Sequence, residues 1–296
     1  MLIEPSMRRL RRHFTRAAQK PYADPEDIHQ LRVYSRRAGA ALRAFSAHCP
    51  SRDRRPLAHA LRDLRGVAGQ ARDCDVFIDN LRGWRETAGP EALPAVAFLI
   101  GFAQGERTAA QLALQQTFEE IAPKELGRCW QRVSKCLRNK SCTKTLGDLV
   151  ESVLQPRIAS VLAAVNQADP TTEQLHAVRI EGKRARYTLE LFAGCIETDA
   201  ARRGLEVLAE LQETLGSLND STVTLARLER LQQRVEASDP HLWASLKPGF
   251  ELLAMSHHEN LVFRAEQILH QREMLCASLH QVKTCPILAA ESSSAR

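Results

Sequence analysis

A histidine followed three residues later by an arginine, with another cation four residues beyond, occurs twice in this sequence. The two sets are His29, Arg32 and Arg36, and His176, Arg179 and Lys183. At about 100° per residue, each set lies on one narrow face of a helix. Guanidinium groups bind phosphate or carboxylate oxygens through paired hydrogen bonds, and imidazole adds a donor that gains charge below about pH 6.5. The spacing therefore predicts a cationic stripe that binds an anion.

Both stripes belong to segments that recur at one constant offset. Residues 27–45 align without gaps on 174–192, and residues 61–81 align on 208–228, in both cases 147 residues apart (174 − 27 and 208 − 61). A single offset across two separated segments indicates an internal duplication. On each repeated helix the side opposite the stripe is apolar, as in Leu42 and Phe45, so the stripe is expected to face away from the core.

The composition predicts an all-α fold, since Gly and Pro are few, aromatics make up 5% and strong helix formers dominate. Periodicity predicts four helices in each unit, over residues 5–20, 25–47, 52–86 and 90–120, then 145–167, 172–196, 199–236 and 240–280. We expect two antiparallel four-helix bundles, 1–122 and 144–280, joined by a linker over 123–143 and followed by a frayed tail over 281–296.

The charge is concentrated at the beginning of the chain. The whole sequence has 41 Lys+Arg against 35 Asp+Glu, but residues 1–65 hold 15 cations and 6 acids, a balance of 15 − 6 = +9. Of the cations, 33 are Arg, which favours phosphate or carboxylate recognition. Nucleic acid, polyphosphate and an anionic membrane surface all fit this balance.

The sequence predicts a cytoplasmic protein that does not cross a membrane. Its most apolar run, residues 93–103, is too short to span a bilayer, and the Arg-rich N-terminus lacks the apolar segment of a secretory signal. An organellar transit peptide is the alternative reading of that terminus. The eight cysteines show no Cys-x-x-Cys spacing, so we expect free thiols and no structural metal.

Two metal-binding alternatives arise from the acids near the stripes. Glu26 and His29, with Glu173 and His176, match the Glu-x-x-His pattern of di-iron bundles, but both glutamates lie in a first helical turn and the surrounding cations would repel a dication. Asp73 and Asp75, or Asn219 and Asp220, could hold Mg²⁺. We instead expect these acids to pair with arginines of the stripe helices, and we predict no metal and no cofactor.

The repeated motifs resemble the CHAD family, the conserved histidine α-helical domain. The resemblance rests on His29-x-x-Arg32 with Arg36-Arg37, on His176-x-x-Arg179 with Lys183-Arg184, on Arg186-Tyr187-x-x-Glu190, and on the segments 71–75 and 215–220. It implies two bundles related by a pseudo-two-fold axis, with the histidine helices lining a basic groove. It also implies binding of inorganic polyphosphate and association with polyphosphate granules.

The predicted function is therefore non-catalytic binding of inorganic polyphosphate. The predicted binding residues are His29, Arg32, Arg36, Arg37, Arg43, His176, Arg179, Lys183, Arg184 and Arg186. Secondary candidates are Arg8, Arg12, Arg72 and Tyr187. Two alternatives stay open: nonspecific binding of nucleic acid through its phosphates, and a metal-dependent phosphohydrolase. No catalytic residue is predicted, because no Gly-rich phosphate loop or nucleophile motif is present.

Overall fold

Helices make up nearly all of the part of the chain that the structure, a computed structural model, describes: residues 4–20, 23–121, 123–138, 145–166 and 171–287. The helices are α1 (Glu4–Gln19), α2 (Pro25–Ala44), α3 (Ser51–Arg85), α4 (Leu93–Glu120), α5 (Pro123–Arg138), α6 (Leu146–Leu149), α7 (Gln155–Val165), α8 (Thr172–Phe192), α9 (Thr198–Ser238) and α10 (Pro240–Thr284). A π-helical turn, Val150–Leu154, joins α6 to α7. Within the described residues the only β pairing is an isolated antiparallel bridge between Ile196 and Ile287. The predicted all-α class is confirmed.

The two stripe helices begin at the residues that the sequence predicts, 25 and 172, each directly after a capping residue. Asp24 precedes α2, accepts a hydrogen bond from the backbone N–H of Glu26 (2.9 Å), and is followed by Pro25 at the first helical position. Thr171 and Gln174 form a capping box at the start of α8. Helices α2 and α8 begin 172 − 25 = 147 residues apart, as do α3 and α9 (198 − 51 = 147), which matches the offset of the sequence repeat.

The chain divides into two compact units whose bounds differ from the two sequential bundles expected. The first unit contains residues 1–139 and 223–258, and the second contains 140–222 and 259–296. The difference has a physical cause in the first unit, where later segments of the chain complete the core. Leu228 of α9 and Phe250 of α10 pack in one apolar cluster with Phe77 of α3 and Leu99 of α4.

Most of the predicted linker is helical, so that assignment is corrected. Helix α5 covers residues 123–138, because Leu126, Cys129, Trp130 and Val133 recur at helical spacing and are buried in the first unit. The rest of the predicted linker, 139–143, lies outside the described residues. The predicted tail begins inside α10, which continues to Thr284, and residues 288–296 of that tail also lie outside the described part.

Each stripe helix is held by burial of its apolar side within its own unit. In the first unit α2 packs against α1 and α3 and buries Leu31 and Leu42. In the second unit α8 packs against α7 and buries Leu189 and Phe192. The stripes consequently stand on the sides turned away from these apolar contacts, as the sequence predicts. The seven cysteines in the described part of the chain are free thiols, and Cys142 lies outside that part.

Candidate anion-binding site

The first stripe gathers cations from two helices around His29. This histidine is half-buried on α2, and its pKa lies below the usual 6.5 because of burial and then because of Arg72, with smaller contributions from Arg36 and Arg32. Glu26 acts in the opposite direction. Arg72 lies on α3, so the predicted secondary residue does stand near the stripe. The electrostatic field at His29 is therefore positive.

Arg32 bridges α2 and α3. Its Nη1 donates to the carbonyl oxygen of Gly69 (2.9 Å) and to Oδ1 of Asp73 (3.1 Å). A Cβ on Gly69 would lie 3.3 Å from that nitrogen, so the absence of a side chain gives the guanidinium room over the α3 backbone. The predicted pairing of Asp73 with a stripe arginine is confirmed. For Asp75 it is wrong, because this buried acid accepts a hydrogen bond from Nε of Arg107 on α4 (2.7 Å).

The remaining cations of the first stripe differ in their surroundings. Arg37 is exposed, with its guanidinium carbon 6.0 Å from the ring centroid of Tyr34. Tyr34 itself is buried and accepts a hydrogen bond from Arg9 (2.9 Å). The candidates Arg8 and Arg12 are exposed on α1. Arg8 and Arg12 thus lie on a different helix from the stripe, whereas Arg37 flanks it.

Near the C-terminal end of α2, an arginine of α3 lies beside Gly39. A Cβ on Gly39 would lie 3.4 Å from Nη1 of Arg65 and 3.6 Å from Nη1 of Arg43. Burial lowers the pKa of the Arg65 guanidinium, and Arg36 and Arg62 lower it further. Arg65 of α3 therefore supplies a cation beside Gly39, where α2 itself carries no side chain.

Helix α8, which carries the second stripe, also carries two acids that pair with its arginines. Glu181 accepts a hydrogen bond from Arg184 and also pairs with Arg157 (3.7 Å). Glu190 pairs with Nε of Arg186 (3.3 Å). The predicted cationic stripe of α8 therefore includes a carboxylate, since Glu190 stands at a stripe position and offsets the charge of Arg186.

The other residues predicted on the second stripe lie on α8 with different exposures. His176 is exposed, while Arg179, Lys183 and Tyr187 are half-buried. Gln212 of α9 accepts a hydrogen bond from Nη1 of Arg186 (3.2 Å) and donates to the carbonyl of Gly182 (3.2 Å). The predicted groove lined by both histidine helices, and the pseudo-two-fold axis, stay predictions.

The two units differ in which of two facing positions carries an arginine. Gly39 and Arg65 correspond to Arg186 and Gln212 at the 147-residue offset, so the first unit places its cation on the α3 side and the second on the α8 side. Arg43 corresponds to Glu190. Sequence reasoning missed Arg65, and it named Glu190 in the family motif without counting its charge on the stripe. A position-by-position comparison of the two repeats contains the signal for both.

Neither predicted metal alternative gains a cluster of ligands. Among the described residues, no group of three or more His, Cys, Asp or Glu side chains is placed to hold a metal ion. Glu26, one of the Glu-x-x-His acids, accepts a hydrogen bond from Gln30.

No helix in the described ranges is both long and apolar enough to cross a bilayer.

The chain is all-α, and each of its two units contains one copy of the repeated His–Arg helix. Residues 2–229 match the family model of the CHAD domain, and the chain belongs to this family. The fold is similar to the crystal structure of the CHAD domain from the plant Ricinus communis, with a TM-score of 0.70 and 24% identity over 97% of this chain and 91% of that one. PptA from Streptomyces chartreusis is also similar, with a TM-score of 0.64 and 15% identity over 92% of this chain and 98% of that one. Among curated proteins, none matches the sequence.

Proposed function

We propose that this protein binds inorganic polyphosphate through the cationic faces of α2 and α8 and the arginines of α3 beside them. One observation carries the proposal: Arg72, Arg36 and Arg32 lie close enough to His29 to lower its pKa, so cations from two helices converge on one place. Such a cluster is stabilised when a polyanion replaces repulsion between cations with charge-assisted hydrogen bonds. The CHAD family membership supports the same ligand.

The length of the first stripe favours a linear anion over a single phosphate. His29 and Arg43 are 14 residues apart on α2, which at 1.5 Å per residue corresponds to about 21 Å along the helix. Orthophosphate can contact only one place on such a surface. A polymer can contact several cations at once, and each further contact lowers its dissociation rate.

The burial of the aromatic ring beside the first stripe favours polyphosphate over a single-stranded nucleic acid as the ligand. Bases bind such proteins largely by stacking on exposed rings. The ring of Tyr34 on α2 is buried, and its hydroxyl accepts a hydrogen bond from Arg9. The stripe of α2 therefore offers phosphate contacts while Tyr34 gives bases no exposed ring, and Tyr187 beside the α8 stripe is half-buried.

We further propose that the protein does not cleave the polymer. Cleavage of a phosphoanhydride needs a positioned water and a base, usually with carboxylates that hold Mg²⁺. Asp73 forms an ion pair with Arg32 and Asp75 forms one with Arg107, so both acids of this segment already pair with arginines. A low pKa also makes His29 a weak base. Phosphate release from long-chain polyphosphate with Mg²⁺ should stay at background. Release that disappears in His29→Ala would contradict this.

The test of the binding proposal is a competition between polyanions. A fluorescently labelled long-chain polyphosphate is bound to the protein and displaced by unlabelled polyphosphate, duplex DNA or single-stranded RNA, matched in phosphate concentration, at two salt concentrations. We expect polyphosphate to displace the probe at the lowest concentration at both salts. Displacement at lower concentrations by either nucleic acid would make this a nonspecific nucleic-acid binder instead.

We also propose that the protein is cytoplasmic and associates with polyphosphate granules, as the family resemblance implies. A fluorescent fusion should co-localise with granules and should disperse when cells are depleted of polyphosphate. A distribution of the fusion that is unchanged after polyphosphate depletion would contradict this part of the proposal.

A further inference from the structure

Two cysteines of the first unit meet at the turn between α2 and α3. Cys49 lies in this turn, directly after a short 3₁₀ segment (Ser46–His48) and shortly before the first residue of α3. Cys136 lies near the end of α5, which packs against α3 in the same unit. A hydrogen bond joins the two thiols, although 136 − 49 = 87 residues separate them in the chain. The fold therefore brings together two thiols from distant segments.

The first turn of α3 positions both sulfur atoms. The thiol of Cys49 donates to the carbonyl oxygen of Pro50 (3.8 Å), which also accepts a hydrogen bond from the backbone N–H of Asp53 (3.0 Å). The thiol of Cys136 donates to Oδ2 of Asp53 (3.6 Å). The two thiols thus have neighbouring hydrogen-bond partners within one helical turn, in addition to their contact with each other.

Burial alone does not require a thiol at position 49. At the 147-residue offset Cys49 corresponds to Ile196, which is also buried, and Asp53 corresponds to Ala200. An aliphatic side chain therefore fills the equivalent place in the second repeat. The thiol pair with its neighbouring carboxylate is a feature of the first repeat, so packing does not account for it.

The two cysteines are free thiols that differ in their access to solvent. Cys136 is half-buried, whereas Cys49 is buried. Burial, followed by the hydrogen bond with Cys136, raises the pKa of the Cys49 thiol to about 11. Since the thiolate is the nucleophile, Cys49 reacts poorly with a dissolved oxidant at neutral pH. Cys136 is consequently the thiol that a small oxidant reaches first.

We propose that Cys49 and Cys136 form a site of reversible oxidation, at which hydrogen peroxide converts the two thiols to a disulfide. The sulfur of Cys136 attacks the peroxide, the O–O bond breaks, and the products are a sulfenic acid and one water molecule. The sulfur of Cys49 then attacks that of Cys136, the S–O bond breaks, and the thiol proton of Cys49 leaves with the hydroxyl group as a second water. The two thiols lose two electrons in total, and the peroxide gains them. A dithiol reductant reverses the reaction by thiol–disulfide exchange.

The disulfide ties α5 to the turn that joins α2 to α3. Closing a long loop removes conformational freedom from the unfolded chain, so the oxidised protein should be the more stable form. In a reducing compartment such a bond is transient and reports oxidation. This inference is independent of the proposed function, because it holds or fails whichever polyanion the stripes bind.

Peptide mapping of the oxidised protein tests the proposal. The reduced full-length chain is treated with hydrogen peroxide, its remaining thiols are alkylated, and it is digested with trypsin without reduction. We expect residues 44–52 and 136–138, which are separate tryptic peptides, to be joined by a disulfide and to separate after addition of dithiothreitol. Absence of this linked pair would overturn the proposal, and so would peptide 136–138 joined to peptide 141–144, which contains Cys142.

The matched control is another cysteine of α5. Cys129 is buried, lies 136 − 129 = 7 residues before Cys136, and accepts a hydrogen bond from Arg132 (3.3 Å). Cys129→Ala should form the disulfide as wild type does, whereas Cys136→Ala should leave Cys49 as a free thiol. Circular dichroism establishes that the variants are folded, and the mapping of wild type decides the question if one of them is not.

Thermal melting gives the second readout. Peroxide should raise the melting temperature of wild type and of Cys129→Ala by about 5 °C or more, and dithiothreitol should reverse this rise. Cys136→Ala should melt at the same temperature with and without peroxide. An equal rise in Cys136→Ala would overturn the assignment of the stabilising bond to this pair.

Discussion

Arg65 lies over Gly39, with its Nη1 3.4 Å from the point at which that glycine would carry a Cβ. In the other repeat the same pair of positions holds Arg186 over Gln212, joined by a hydrogen bond of 3.2 Å. Each repeat therefore has one arginine at this pair of positions, on α3 in the first repeat and on α8 in the second. We call this difference the arginine exchange.

Installing the second arrangement in the first unit tests the arginine exchange. Gly39→Arg alone places a third guanidinium beside Arg43 and Arg65, and we expect it to destabilise the fold. Gly39→Arg combined with Arg65→Gln should recover stability, with a coupling of about 0.5–3 kcal/mol in a double-mutant cycle. Urea denaturation of the four proteins gives this coupling. Additive effects would show that the two residues do not share one space.

The two stripes should contribute comparably at positions 36 and 183, which are equivalent in the repeats. Charge reversal by Arg36→Glu or by Lys183→Glu should each weaken long-chain polyphosphate binding about tenfold and reduce the salt dependence by about one unit of slope. Arg85→Glu, near the far end of α3, serves as the control and should bind as wild type. If only one of the two reversals has an effect, the stripe of the other unit lies outside the site.

The sequence predicted the helices well because their signals are local. Caps at Asp24 and Thr171 and the apolar periodicity of each segment determine where helices begin and which side they bury. Helix α5 was missed because Pro123, Gly127 and several basic residues outweighed an apolar pattern of only a few positions, whose burial depends on the rest of the unit.

The site was only partly predictable because its charges are set by contacts between helices. A helical wheel of α2 places Arg32 on the stripe but cannot show that it reaches Gly69 and Asp73 on α3. It also cannot show that Arg65 compensates for Gly39. Such compensation depends on which α3 side chains face α2, and this depends on the packing of the pair.

Binding should be linked to protonation of His29. Burial and Arg72 hold its pKa below 6.5 in the free protein, and a bound polyanion should raise that pKa. Affinity should therefore increase as the pH falls from 7.5 towards 5.5, with net proton uptake on binding. Calorimetry in buffers of different ionisation enthalpy measures this uptake, which His29→Gln should reduce. An unchanged pH dependence in that variant would assign the protons to other groups.

The same histidine should lower stability in acid. Its neutral form is favoured in the folded state, whereas the unfolded chain binds a proton at the usual pKa of 6.5. The free energy of unfolding should consequently decrease as the pH falls below 6.5, and less so in His29→Gln. Urea denaturation without ligand at pH 7.5 and 5.5 compares the two proteins. An equal decrease in both would exclude this contribution of His29.

The buried pair of Asp75 and Arg107 should be the ion pair with the greatest effect on stability in the first unit. Both side chains are nearly inaccessible, and the guanidinium also donates to Gln111 (3.0 Å). Arg107→Met leaves the carboxylate buried without its partner and should cost about 3–5 kcal/mol. Arg82→Met, which breaks an exposed pair with Asp79, should cost less than about 1 kcal/mol. Similar shifts in the urea midpoints of both variants would contradict this ranking.

The dependence of long-chain polyphosphate affinity on salt tests the central claim most directly. If several cations of the stripes contact successive phosphates, the logarithm of the binding constant should fall steeply and linearly with the logarithm of salt concentration, because binding releases condensed counterions. Orthophosphate at the same phosphate concentration should not compete. An affinity that barely changes with salt, or that orthophosphate abolishes, would contradict binding of a linear polyanion by these helices.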